Sequence, residues 1–255
     1  MENEKLKKVL VTGAAGYVGA TTVRHLLCKG YVVYALDNLL QGPDGVNCFL
    51  GYKNYYFIKG DIRDKNLINE ITQKVDYVVH LAAIVGEFAC KNNPEDTKSI
   101  NVEGTQNIIH AAVDKKIKRL IFFSTCSSYG IQDTNIMANE ESPLNPVSLY
   151  AETKISMEEY LKKNSSDNLS YTILRPSTVH GPSPRMRFDL IVNHFVKDAV
   201  QKNKLDIFGG GLWRPLMWVG EVGRIVDKVF SADIKVVKNQ IFNLGNTNAN
   251  KTKIE

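Results

Sequence analysis

Short apolar runs and helical apolar stripes alternate along most of the chain. Val9-Leu10-Val11 is a β-branched run that stops at a cluster of glycines, the pattern of a strand buried on both faces. Over 17–29 the apolar residues Val18, Val23, Leu26 and Leu27 recur at helical spacing and Gly30 closes the segment, which predicts a helix. Further strands are expected at 31–36, 55–58, 77–80 and 120–123, with helices over 65–73 and 97–113 between them. A helix over 150–162 and a strand at 171–174 continue the rhythm. Strands that alternate with helices require right-handed crossovers, and so predict an α/β fold with a doubly wound parallel sheet. After Arg175-Pro176 the rhythm breaks. Proline and glycine become frequent, and a helix near 189–200 stands apart. The chain therefore divides into a sheet domain over 1–176 and a smaller region over 177–255, with 240–245 a candidate to rejoin the main sheet.

Composition changes this picture little. With 255 residues, 44% hydrophobic and 23% charged, the chain reads as globular rather than disordered. The net charge of +5 comes from scattered Lys and Arg, a solvated mixed surface that also suits a phosphate-bearing ligand and does not ask for nucleic acid. Cys28, Cys48, Cys90 and Cys126 form no C-x-x-C pair and have no histidine spacing beside them. That argues against a metal site or a disulfide framework, and for reduced thiols in the cytoplasm. Residues 1–8 alternate acid and base without the apolar core of a leader, and the longest mainly apolar stretch, 77–85, is too short to span a bilayer.

The chemistry sits at strand ends. Gly13-Ala14-Ala15-Gly16-Tyr17-Val18-Gly19 follows the first strand and opens the first helix. In that context Gly13 permits the turn, Gly16 admits a pyrophosphate to the positive helix end, and Gly19 lets helix pack on strand. The alternative is a tight turn without a ligand. Asp37 ends the second strand, where a carboxylate accepts hydrogen bonds from ribose hydroxyls and repels a 2′-phosphate, or else caps a turn. Tyr150 and Lys154 stand four apart on a helix and share a face. A phenol with a pKa of about 10 is a poor base at neutral pH. A neighbouring ammonium favours its phenolate, which can then take a proton from an alcohol whose carbon is being oxidised.

Five motifs occur in order: the glycine loop at 13–19, His80-Leu81-Ala82-Ala83, Asn101-Val102-Glu103-Gly104-Thr105, Ser124-Thr125-Cys126-Ser127-Ser128-Tyr129-Gly130, and Tyr150-Ala151-Glu152-Thr153-Lys154. With Leu174-Arg175-Pro176, Trp213-Arg214-Pro215 and Phe242-Asn243-Leu244-Gly245 behind them, the chain resembles the extended short-chain dehydrogenase/reductase family, in its NAD-dependent nucleotide-sugar epimerase and dehydratase branch. The resemblance implies a Rossmann-like NAD-binding domain, a nucleotide-sugar substrate and a homodimer. It implies Tyr150 as base, Lys154 as its activator, and Thr125 as the hydroxyl on the reacting oxygen. Gly13, Gly16, Tyr17, Val18 and Gly19 would hold the pyrophosphate. Asp37 would hold the ribose, Asp61 with Ile62 the adenine, and Asn38 is a further cofactor-binding candidate. Leu81, Ala82, Ala83 and Asn101 would line the cofactor cleft beside Tyr150 and Lys154. Arg214 would hold the substrate diphosphate, with Arg187 and Asn193 as further substrate-side candidates.

Three departures from the family pattern matter. Dehydratases place Asp-Glu after the position of Thr125, where this chain has Cys126 and Ser127, neither a good general acid. The His usual after the diphosphate arginine is replaced by Trp218. The chain stops soon after Gly245 where the family continues, so an incomplete substrate region is expected. The expected activity is reversible C4 oxidation of a nucleotide-sugar, giving epimerisation. The alternative is an NAD(P)H-dependent ketoreductase acting on a 4-keto nucleotide-sugar or another ketone.

Overall fold

The structure is a computed structural model that describes residues 6–131, 137–165 and 169–255, so the first five residues of the alternating N-terminal segment lie outside it. The first half runs β1 (Lys8–Thr12), α1 (Tyr17–Cys28), β2 (Val32–Asp37), the short α2 (Asp44–Asn47), β3 (Tyr55–Lys59), α3 (Lys65–Thr72) and β4 (Tyr77–His80). The second half runs α4 (Glu87–Asn92), α5 (Pro94–Lys98), α6 (Thr105–Asp114), β5 (Arg119–Phe123), α7 (Leu149–Asn164) and β6 (Tyr171–Pro176). Beyond it lie β7 (Thr178–His180), α8 (Ile191–Lys202), β8 (Trp213–Trp218), α9 (Gly220–Ser231), α10 (Ile234–Val237), β9 (Gln240–Leu244) and β10 (Asn250–Thr252).

Seven strands form the main sheet in the order β3-β2-β1-β4-β5-β6-β9, and every neighbouring pair is parallel. Strand alternation splits β1 between two cores. Val9 and Val11 face α1 and α9 with Val23, Leu26, Val226 and Phe230, while Leu10 faces α3, α6 and α7 with Ile68, Ile108 and Leu161. Each fully buried Leu or Ile side chain of these layers contributes about 1.5–3 kcal/mol. Helices on both faces make the sheet doubly wound, and the strand order reverses between β1 and β4. Ligands of such sheets enter the crevice at the carboxyl ends of the strands at that point.

Local sequence sets the ends of the elements. Gly30 takes φ 82 and Tyr31 N donates to Leu26 O at 3.0 Å, so Tyr31 belongs to the helix end and the expected strand at 31–36 begins one residue later. Asp64 caps α3 through Asn66 N and Leu67 N, and Ser148 caps α7 through Ala151 N. The helix expected over 97–113 is interrupted by a π-helical stretch at Ser99–Gly104. The helix expected at 189–200 is Ile191–Lys202, because Leu190 is extended. A separate three-stranded sheet, β10-β8-β7, has no counterpart in the hydrophobic pattern, since its strands are short and β8 contains Pro215. Residues 240–244 rejoin the main sheet as its edge, with Ile173 opposite Ile241 and Leu174 opposite Phe242. Among the described residues no helix is long and apolar enough to cross a membrane, and no His, Cys, Asp and Glu cluster could hold a metal.

Candidate active site

The loop between β1 and α1 is tightly packed. Gly13 has φ +69, and a Cβ there would sit 2.7 Å from Ala82 N. A Cβ on Gly19 would sit 2.0 Å from Gly13 O, so only glycine lets α1 lie this close to the turn. Gly16, at the N-cap, makes no side-chain cap, and the first turn of α1 holds no acid, which leaves its N–H groups and partial positive charge for an anion. The Tyr17 side chain turns away from the turn and donates to Gly181 O at 2.6 Å; burial raises its phenol pKa, eased by Asn193 and Arg187. Val18 packs half-buried against the core.

Asp37 lies at the end of β2 and accepts from Ala15 N at 2.9 Å and Leu39 N at 2.8 Å, tying the glycine loop to the strand end. Burial raises its pKa, opposed by those two N–H groups and by the charge of Arg185. Asn38 donates to Asp61 at 3.3 Å, and Asp61 is paired with Arg63 at 2.7 Å, which holds its carboxyl below the usual range. Ile62 is buried against Gly104, where a Cβ would meet it at 2.6 Å. Thr12 Oγ1 accepts from Leu81 N and Ala82 N, both at 3.2 Å, and sets the half-buried Leu81-Ala82-Ala83 bend that faces the loop. His80 bridges Thr12 and Thr105 at 2.7 and 2.9 Å, with its pKa driven down to about 3 by burial and by Lys154, so the ring stays neutral. Asn101, inside the π-helical stretch, clasps Ile84 through its N–H at 2.8 Å and its carbonyl at 2.9 Å.

Thr125 follows β5, and its hydroxyl accepts from Ser127 N at 3.1 Å. Ser148, by capping α7, places Tyr150 in the first turn, facing Thr125. Lys154, one turn later and 3% exposed, holds its ammonium 5.0 Å from the centre of the Phe122 ring and 5.9 Å from that of Tyr150. Burial lowers the Lys154 pKa to about 8, against the opposing pull of Cys90 and Glu158. Burial raises the Tyr150 pKa strongly; Arg187 and the Thr125 hydroxyl oppose this, while Cys90 and Cys126 add to it. Arg187, read from sequence as a substrate-side residue, thus stands within electrostatic reach of the phenol. It also pairs with Asp189 and lies 3.8 Å from the position of a Cβ on Gly86.

Residues 181–187 strap this cleft to the glycine loop. Ser183 donates to Tyr17 O at 2.7 Å, and Arg185 reaches Gln41 at 2.5 Å. Asn193, expected to face substrate, is a strut of the strap. It is 6% exposed, accepts from Gly181 N at 2.9 Å, and donates to Tyr17 Oη at 3.1 Å and Arg187 O at 3.0 Å, so packing has turned its amide inward. Arg214 lies exposed on β8, and its charge eases the Cys126 thiol, which burial holds at about 11. The same edge also carries Ser124, Tyr129, Glu158, Arg175 and Asn243 in one buried network, which sequence reasoning missed. The available signal was a charged residue, Arg175, inside an apolar strand.

Comparisons with known proteins agree with this geometry. The NAD dependent epimerase/dehydratase family matches residues 9–245. The chain is 32% identical over 244 residues to a putative UDP-glucose 4-epimerase of Methanocaldococcus jannaschii, covering 93% of this chain and 76% of that protein. It is 35% identical over 184 residues to the UDP-glucose 4-epimerase of Halalkalibacterium halodurans, covering 70% of this chain and 53% of the relative. The crystal structure of the Thermus thermophilus UDP-glucose 4-epimerase in complex with NAD superimposes with a TM-score of 0.82 at 28% identity, over 97% of this chain and 80% of that one. A doubly wound sheet whose glycine loop faces a Tyr150–Lys154 pair, matched from the first strand to the last of the main sheet, makes this chain a member of the NAD dependent epimerase/dehydratase family of enzymes.

Proposed function

We propose that this chain binds NAD and epimerises a nucleotide-linked hexose at C4. The observation that carries the reading is the meeting of Thr125, Tyr150 and Lys154 with the uncapped start of α1 at one edge of the sheet. The relatives named as UDP-glucose 4-epimerases support it. The residues present fit a dinucleotide. The first N–H groups of α1 await an anion, Asp37 marks the ribose end, and among the described residues the Lys154 ammonium has no hydrogen-bond acceptor. NAD, when bound, supplies the acceptor that oxidises C4 and the donor that reduces it again.

The protein's part is to move a proton and hold the sugar. Tyr150 takes the C4 hydroxyl proton, and Thr125 holds the same oxygen. Arg187 favours the phenolate that burial otherwise opposes, and the Lys154 ammonium, 5.9 Å from the centre of the Tyr150 ring, would add to this. Tyr150 then returns the proton once the 4-keto sugar has presented its other face. Arg214 holds the diphosphate. Elimination of water is disfavoured, since a Cys126 thiol held at about 11 is a poor acid and Ser127 a poorer one. The expected homodimer is part of this reading and is checked by size-exclusion chromatography with light scattering.

The test is incubation with a panel of nucleotide hexoses and catalytic NAD, with chromatographic separation of products. A C4 epimer without net cofactor turnover is expected. Stoichiometric consumption of reduced cofactor would establish the ketoreductase alternative instead, and a 4-keto-6-deoxy product would overturn the argument from Cys126 and Ser127.

A further inference from the structure

We propose that Glu158 and Ser124 are positioning residues that fix Thr125 and Lys154 relative to each other; this rests on the epimerase reading above. Glu158 lies on α7 one turn beyond Lys154, so Tyr150, Lys154 and Glu158 follow one another along a single helical stripe. Its side chain is 1% exposed and faces Arg175, which is 2% exposed at the end of β6. The pair is bidentate, with Arg175 Nε donating to Oε1 at 3.0 Å and Nη2 to Oε2 at 2.6 Å. The Ser124 hydroxyl donates to the same carboxylate. Arg175 continues the chain through Nη1 to Tyr129 Oη at 2.9 Å, and Tyr129 donates to Asn243 Oδ1 at 2.7 Å. One network thus joins α7, β5, β6, the turn after Thr125, and β9.

A buried ion pair adds little net stability over an apolar pair of similar volume, so the value of this one lies in orientation. Successive residues of an extended chain point to opposite sides. Clamping Ser124 to α7 therefore aims Thr125 the other way, into the cleft. The carboxylate also acts on Lys154 across one helical turn. The titratable and charged groups around that ammonium are His80 from β4, Cys90 from α4, and Tyr150 and Glu158 on α7 itself, with the Phe122 ring from β5 beneath. Among these Glu158 is the one carboxylate.

Two variants separate the roles. Ser124→Ala cuts the clamp on Thr125 but leaves the carboxylate beside Lys154. It should lower kcat roughly tenfold to a hundredfold with KM and NAD affinity little changed, and leave the alkaline limb of kcat/KM in place. Glu158→Gln should lower kcat likewise and also move that limb down by about one pH unit, because loss of the negative charge makes Lys154 give up its proton earlier. Pairing Glu158→Gln with Arg175→Met removes the stranded cation and should keep the shift. Hydrogen exchange over 123–130 needs no substrate and should quicken at least tenfold in both single variants while the 13–19 loop keeps its protection. Unchanged exchange in Ser124→Ala, or folded variants with kcat within twofold of the parent, would overturn the proposal. If Glu158→Gln does not fold, Ser124→Ala decides. Absence of turnover by the parent counts against the epimerase reading alone, since exchange still tests the clamp.

Discussion

Replacing Lys154 by methionine should make the protein more stable at neutral pH while making it a worse enzyme. Burial holds the ammonium pKa down from 10.5 to about 8. Each pKa unit is worth about 1.4 kcal/mol between the two protonation states, so keeping the charge costs the folded state on the order of 3 kcal/mol. Ring contacts at 5.0 Å from Phe122 and 5.9 Å from Tyr150 offset part of this, by about 0.5–1 kcal/mol each. Methionine keeps the length and apolar stem of the side chain without the charge, which leaves a gain of roughly 1–2 kcal/mol. The sign follows from proton counting. Below pH 8 both folded and unfolded parent carry the proton and the penalty is full. Between about 8 and 10.5 the folded parent sheds its proton while the unfolded chain keeps it, so parental stability rises with pH and the difference between variant and parent closes. Urea unfolding of both proteins across pH 6.5–10 measures that difference. NAD affinity should fall about tenfold in the variant, about 1.4 kcal/mol. A variant less stable than the parent at pH 6.5, or a difference that does not change with pH, would refute the reasoning.

Tyr150→Phe keeps the ring and removes the proton acceptor; steady-state kinetics should show a loss of roughly 10²–10⁴-fold in kcat, with NAD binding by titration changed much less. The parent should prefer NAD over NADP by at least about tenfold. Asp37→Ala should narrow that gap and also loosen the glycine loop, since Asp37 holds Ala15 N and Leu39 N; equal parental affinities in a fluorescence titration would dismiss the role given to Asp37. In Gly19→Ala the new Cβ starts 2.0 Å from Gly13 O and 2.9 Å from Ala14 Cα, both backbone atoms, so α1 must move. A destabilisation of about 1–3 kcal/mol in denaturant unfolding, with NAD binding lost, is the expected result.

The parts of the site that could be read from sequence are those where a strand end and a helix start fix the geometry by themselves. The run from Val9 through Gly19 contains both elements and their turn, and helical spacing places Tyr150 beside Lys154 whatever the rest of the fold does. Residues whose partners lie far along the chain were harder to read. A glutamate four residues after a lysine on a helix reads as a solvated pair, yet Glu158 is buried because Arg175 comes to meet it from another strand. Asn193 looked available for substrate until Tyr17, Gly181 and Arg187 closed around its amide. The π-helical stretch at Ser99–Gly104 has no local mark, since what sits against Gly104 is Ile62 from the distant loop between β3 and α3. The small second sheet escaped for a related reason. Short strands without alternation carry no periodic signal.

The late arrival of β9 has a consequence for biosynthesis. Residues up to Pro176 emerge from the ribosome with six of the seven strands in hand, but Thr172, Ile173 and Leu174 then show a bare hydrogen-bonding edge until Gln240–Leu244 has been made. An apolar, unpaired strand edge is a template for sticking to other chains. A nascent chain paused in this interval is therefore at its most aggregation-prone, and charged substitutions along that edge should trade soluble yield during synthesis against strength in the finished sheet.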